Sequence, residues 1–72
     1  MKTVEFLEHT TEISNEDLNQ HTIDIDFNSE MMIQFEKHQE GYVAVNGING
    51  YGINIKNEVF GKFLIIKEEN NG

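Results

Sequence analysis

The sequence predicts a mainly β (α+β) protein: a small antiparallel sheet or barrel of five or six short strands, with one short helix near residues 15–20. Three observations carry that prediction. Apolar and polar residues alternate through 22–27 and again from residue 31, the period of a half-buried strand. Asn46-Gly47 and Asn49-Gly50 are dipeptides that accept positive φ, the backbone state a tight hairpin turn demands. β-Branched and aromatic residues are concentrated in short runs separated by polar breaks, and no proline interrupts them.

Taken in order, the first twenty residues are the ambiguous part. Val4 and Phe6 suit a strand, whereas Val4 and Leu7 with acids at 5, 8, 12 and 16 suit a helix. A short strand at 3–7 is the preferred reading. Ser14-Asn15-Glu16-Asp17 has the form of a helix N-terminus, with Ser14 as cap and acids where the helix dipole favours them. Ile23, Ile25 and Phe27 point one way on the next strand, and Asp24 and Asp26 the other. After the break at Asn28-Ser29-Glu30, Met31, Ile33 and Phe35 repeat the pattern, so the two runs read as a hairpin. A third strand is expected at 42–45, and either Asn-Gly pair could turn the chain after it. Tyr51, Ile53 and Ile55 alternate once more. A strongly apolar strand over 60–67 closes the fold, with Gly61 marking a bulge or close backbone approach. Residues 1–67 read as a single small domain and 68–72 as a frayed polar tail.

Size and composition narrow the function classes. The chain has 72 residues, and a domain of that size buries only about 60–65% of the surface its unfolded chain exposes. Without cysteine there is neither a disulfide framework nor a thiolate zinc site, which fits a reducing compartment. Lys2, Glu5 and Glu8 break up the opening residues, leaving no apolar core for a signal peptide. The longest wholly apolar run, 63–66, is far short of the roughly 20 residues that cross a bilayer. A soluble protein of the cytoplasm is expected, repelled by anionic membranes because five lysines stand against thirteen acids.

The charge is distributed unevenly. The formal net charge is −8, and residues 1–30 hold eight carboxylates (Glu5, Glu8, Glu12, Glu16, Asp17, Asp24, Asp26 and Glu30) against the single cation Lys2. Arginine is absent. The other lysines, at 37, 56, 62 and 67, lie in the second half. Solubility alone requires acids but not their segregation. A field of one sign repels phosphates and attracts basic surfaces.

Other chemistries find little material. Two serines and histidines at 9, 21 and 38 fall in no recognised nucleophile context, and Ser14 already serves as a cap, so the protein reads as a non-enzyme with no catalytic residues. Asp24-x-Asp26-x-Asn28 matches the opening of a calcium-binding EF-hand loop. The match then fails, with Ser29 where the glycine belongs and Phe35 where the bidentate glutamate belongs. No metal ligands and no cofactor are assigned. Direct nucleic-acid binding would depend on four dispersed lysines, with Tyr42, Tyr51 and Phe60 to stack on bases, a weak electrostatic funnel beside thirteen acids.

The acid array has a usable geometry. On a strand, Asp24 and Asp26 project from one face roughly 6.6 Å apart, and on a helix Glu8, Glu12 and Glu16 would stack at about 5–6 Å. Duplex DNA presents charge on a comparable scale, about 3.4 Å of rise per strand. In size, acidity and lack of cysteine the chain resembles the DNA mimics, small acidic proteins that phages direct against host DNA-binding proteins. It is particularly similar to phage-encoded inhibitors of the bacterial nucleoid protein HU. The likeness covers the whole chain in bulk properties and contains no diagnostic motif, because DNA mimics share charge rather than sequence or fold. What it implies is a protein of the host bacterial cytoplasm that sits in the DNA-binding cleft of a basic HU-like dimer and blocks DNA binding and genome compaction. The eight N-terminal carboxylates would then stand in for phosphates.

Alternatives from the same sequence are an inhibitor of a restriction or CRISPR effector, which uses the same physics, and a structural or adaptor module that pairs through a sheet edge. A self-pairing edge would make such a module a homodimer.

Overall fold

A computed structural model describes residues 1–50 and 59–67. The protein is mainly β, with two three-stranded antiparallel sheets in the orders β2-β1-β6 and β3-β4-β5. The single sheet or barrel of five or six strands expected from the sequence is thus divided into two.

The opening residues form a hairpin. β1 (Lys2–Phe6) pairs with β2 (His9–Ile13) in the register Lys2↔Ile13 to Phe6↔His9. Leu7 and Glu8 make the turn at φ +49° and +68°, the left-handed conformations that a two-residue hairpin loop requires. The helical alternative for residues 3–12 is therefore discarded. Period-two burial of Val4 and Phe6 against the core decides it, since a helix would have carried Phe6 away from Val4. Thr10, Thr11 and Ile13, all β-branched, suit the second strand.

The helix expected near 15–20 is reduced to a 3-10 turn, Asp17–Asn19. Ser14 keeps its capping role, its Oγ accepting the Asp17 N–H at 3.2 Å. A longer helix has nothing to bury, because Leu18 is the only apolar residue between 14 and 20. Tyr42 holds the turn instead. Its hydroxyl donates to the Leu18 carbonyl at 2.8 Å and also meets the Gln20 carbonyl.

β3 (Thr22–Phe27), β4 (Met31–His38) and β5 (Gly41–Asn49) form a meander. Asn28 and Ser29, at φ +59° and +65°, make the first turn. Ile23 faces Phe35, Ile25 faces Ile33 and Phe27 faces Met31, the inward set anticipated from alternation. β5 runs past the expected 42–45 to Asn49, and Asn46-Gly47 lies inside it rather than at a turn. A bulge accommodates the pair: Phe35 faces Ala44 while Gln34 faces Asn46, so Val45 is the extra residue. At the strand's end the Gly50 N–H donates to the Glu30 carbonyl. A side chain there would meet the Ser29 carbonyl oxygen at 2.6 Å, so only glycine fits.

The final segment joins the two sheets. Gly61, at φ +86°, lies in a turn closed by the Lys62 N–H on the Val59 carbonyl, not within a strand as expected. The chain then runs beside β5, with an isolated bridge between Val43 and Phe63, and continues as β6 (Ile65–Lys67) beside β1. The strand expected around Tyr51 to Ile55 and the frayed tail at 68–72 lie outside the described residues.

One buried cluster spans both sheets. Phe6 from β1 meets Phe35 edge-on at a centroid distance of 5.1 Å and stacks near Phe27 at 6.4 Å. Val59 and Leu64 add the last segment to the same cluster. No side-chain polar or charged residue is buried among the described residues, so the acids are all at or near the surface.

Candidate anionic surface

Because Val4 and Phe6 face the core, Thr3 and Glu5 must face outward, and the pairing Thr3↔Glu12 and Glu5↔Thr10 puts Glu12 on the same outer face as a diagonal neighbour of Glu5. Ile65 and Lys67 of β6 share this face, and Lys67 Nζ lies 2.8 Å from Glu5 Oε1. On the other sheet, Asp24 and Asp26 occupy the exposed positions of β3 between the buried Ile23, Ile25 and Phe27. Glu8 sits at the β1–β2 turn, and Glu30 follows the β3–β4 turn. Glu16 and Asp17 lie in the connection between β2 and β3.

Two contacts bring the hairpins together. The Asn28 side-chain amide donates to the Thr10 carbonyl at 3.1 Å, and His9 Nδ1 is 3.0 Å from Glu30 Oε2. β2 therefore lies beside β3, and Glu5, Glu12, Asp24 and Asp26 stand on three successive strands. The eight predicted carboxylates do not form one row. They occupy the outer faces of both sheets, two hairpin turns and a connection, with Glu5 paired to Lys67 and Glu30 to His9. Asp26 is oriented by its own turn, its Oδ1 accepting the Ser29 N–H at 2.8 Å.

Around Glu36 the geometry is different. Its Oε1 lies 3.6 Å from His38 Nε2 and 4.0 Å from His21 Nε2, all on exposed or half-exposed side chains. Among the described residues no group of three His, Asp or Glu side chains is arranged to hold a metal ion. No helix among the described residues is long and apolar enough to cross a membrane. Burial, followed by the nearby Asp17 charge, raises the Tyr42 hydroxyl above the ordinary tyrosine value.

Two exposed apolar surfaces escaped the sequence reading. On the outer face of β4 and β5, Met32 and Ile48 are directly opposed and remain 47% and 43% exposed. Met32 carried a legible signal, an apolar residue at an outward position of an alternating strand, but the register that sets it against Ile48 did not. Elsewhere, Phe60, Phe63 and Ile65 are 65%, 48% and 52% exposed on the segment that joins the sheets. Comparison of the chain with protein-family models, with characterised proteins and with solved structures finds no match.

Proposed function

We propose that this protein is a non-enzymatic decoy that occupies the DNA-binding surface of a basic host protein, with an HU-like dimer as the leading target. The observation that supports this reading is the outward projection of Glu5, Glu12, Asp24 and Asp26 from successive strands, with Glu8 and Glu30 at the adjoining turns. Carboxylates on a paired backbone are held at fixed spacing, which lowers the entropy lost when they meet an array of lysines and arginines. Lys67 meets Glu5 and His9 meets Glu30, and the segregation of charge in the sequence leaves the others to attract cations. Association should be fast and weakened by salt. By the same physics a restriction or CRISPR effector with a basic groove is an alternative target. The reading requires no catalytic group and no cofactor.

Displacement of labelled duplex DNA from purified HU tests it. The decoy should release DNA at about 0.05 M salt and lose that capacity progressively toward about 0.3 M. Asp24→Lys with Asp26→Lys should abolish release. Failure of the native chain to displace DNA at low salt removes HU as the target, and the same assay with a nuclease effector then decides the variant.

A second reading, an adaptor module that docks on another protein, is favoured by the exposure of Phe60, Phe63 and Ile65. For an adaptor, Phe63→Ser should end partner binding and the two aspartate reversals should not. A decoy shows the opposite pattern.

A further inference from the structure

We infer that the outer face of the β3-β4-β5 sheet is a docking groove for a lysine or arginine side chain of a basic partner protein, with Met32 and Ile48 against its aliphatic stem and Asp24 and Asp26 receiving its charge. The inference rests on the decoy reading and specifies how one part of that surface makes contact.

The groove follows from register. Asp26, Met32 and Ile48 stand in one row across the three strands, and Asp24, Gln34 and Asn46 in the next. The Met32–Ile48 pair forms a low apolar ridge between two depressions of about 170 and 450 Å³. Asp24, Gln34 and Asn46 line the smaller, and Asp26, Ser29 and Asn49 the larger. Among the described residues, the charged ones lining these depressions are aspartates, one in each. Asp26 is held in place by the Ser29 N–H, so one carboxylate is already oriented at the end of the apolar row.

Charge complementarity selects the occupant. An apolar segment would leave two aspartates desolvated and unpaired, and an acidic one would be repelled. A lysine or arginine matches both features, because its methylene stem buries against apolar surface while its head group stays at the polar rim. Met32 is well suited to such a stem, being flexible and polarizable. A DNA backbone offers phosphates but no thioether or branched aliphatic surface. The groove therefore adds to the charge-based contact a component that salt does not screen.

The test uses the full chain and two probes: purified HU with labelled duplex DNA, and a ten-residue peptide of alternating lysine and leucine followed by amide NMR. The peptide should shift the resonances of residues 24, 26, 32, 34, 46 and 48. Met32→Thr with Ile48→Thr places β-branched, strand-compatible side chains at both exposed positions and should leave the melting temperature near that of the native chain. The double variant should bind both probes about tenfold more weakly, and its remaining binding should fall more steeply with salt between about 0.05 M and about 0.3 M than that of the native chain. Equal affinity of the variant and native chains for both probes overturns the groove even if the native chain displaces DNA from HU. So does a change in oligomeric state with peptide binding intact, which would mean that a second copy covers the ridge. Peptide binding at these residues without DNA displacement supports the groove and removes HU as the target.

Discussion

Tyr42→Phe isolates one interaction that connects the core to the acidic connection between β2 and β3. The Tyr42 ring is buried on β5, and its hydroxyl meets the Leu18 and Gln20 carbonyls across a sequence gap of more than twenty residues. Phenylalanine retains the ring, so no cavity of consequence forms, and the loss is confined to one donor shared by two acceptors. A net hydrogen bond is worth about 0.5–1.5 kcal/mol, and leaving a buried acceptor unpaired costs about 1–3 kcal/mol. Both acceptors belong to exposed or half-exposed residues that water can reach, so the expected loss is about 1–2 kcal/mol. For a chain of this size that lowers Tm by roughly 5–15 °C. Urea unfolding at neutral pH followed by far-ultraviolet circular dichroism measures it.

The pH dependence provides an independent check. The Tyr42 hydroxyl is raised above the ordinary value of 10.0, first by burial and then by Asp17. The unfolded chain therefore releases this proton before the folded one does. Its contribution to stability is complete below about pH 10 and is lost as pH rises through the higher folded value. The stability gap between the native chain and Tyr42→Phe should accordingly narrow in the alkaline range. A loss under about 0.3 kcal/mol at neutral pH, or a gap that stays constant up to about pH 11.5, would refute the assignment. Amide exchange should also quicken at Asp17 to Gln20 in the variant, because the 3-10 turn would have lost its tether.

Ser29→Gly should stabilise the protein by about 1 kcal/mol in thermal melts, since it relieves a left-handed residue in a tight three-residue turn and leaves the Asp26 contact to the backbone N–H in place. Gly50→Ala should cost about 1–3 kcal/mol in the same measurement, because its methyl would stand 2.6 Å from the Ser29 carbonyl oxygen. Lys67→Gln should change stability by less than about 1 kcal/mol, as exposed ion pairs contribute little. By freeing Glu5 it should strengthen DNA displacement from HU at low salt, and weaker displacement would argue against Glu5 as a contact.

Alternation was the most reliable feature of the sequence. Ile23, Ile25, Phe27, Ile33 and Phe35 are buried as their spacing required, and Asp24 and Asp26 are exposed between their neighbours. Turn chemistry was less informative. Two internal Asn-Gly pairs were available, yet the hairpin turns use Leu7-Glu8 and the three-residue connection Asn28-Ser29-Glu30, while Asn46-Gly47 lies inside β5 beside the bulge at Val45. Strand pairing and the burial of Leu7 against the core supply what local preference does not. The first twenty residues were undecidable locally because their apolar residues fit both periods, and only the slot that Phe6 fills beside Phe27 and Phe35 selects the strand.

The β class, the inward and outward residues of β3 and β4, and the gathering of negative charge into the first thirty residues were legible in the chain before folding, since all of them depend on neighbours a few positions apart. Tertiary structure alone decided that the last segment would join two sheets, that Lys67 would neutralise Glu5, and that Met32 would face Ile48 beside two aspartates. These are properties of register between distant strands, and register is set by how the whole core packs, which no local window of sequence contains.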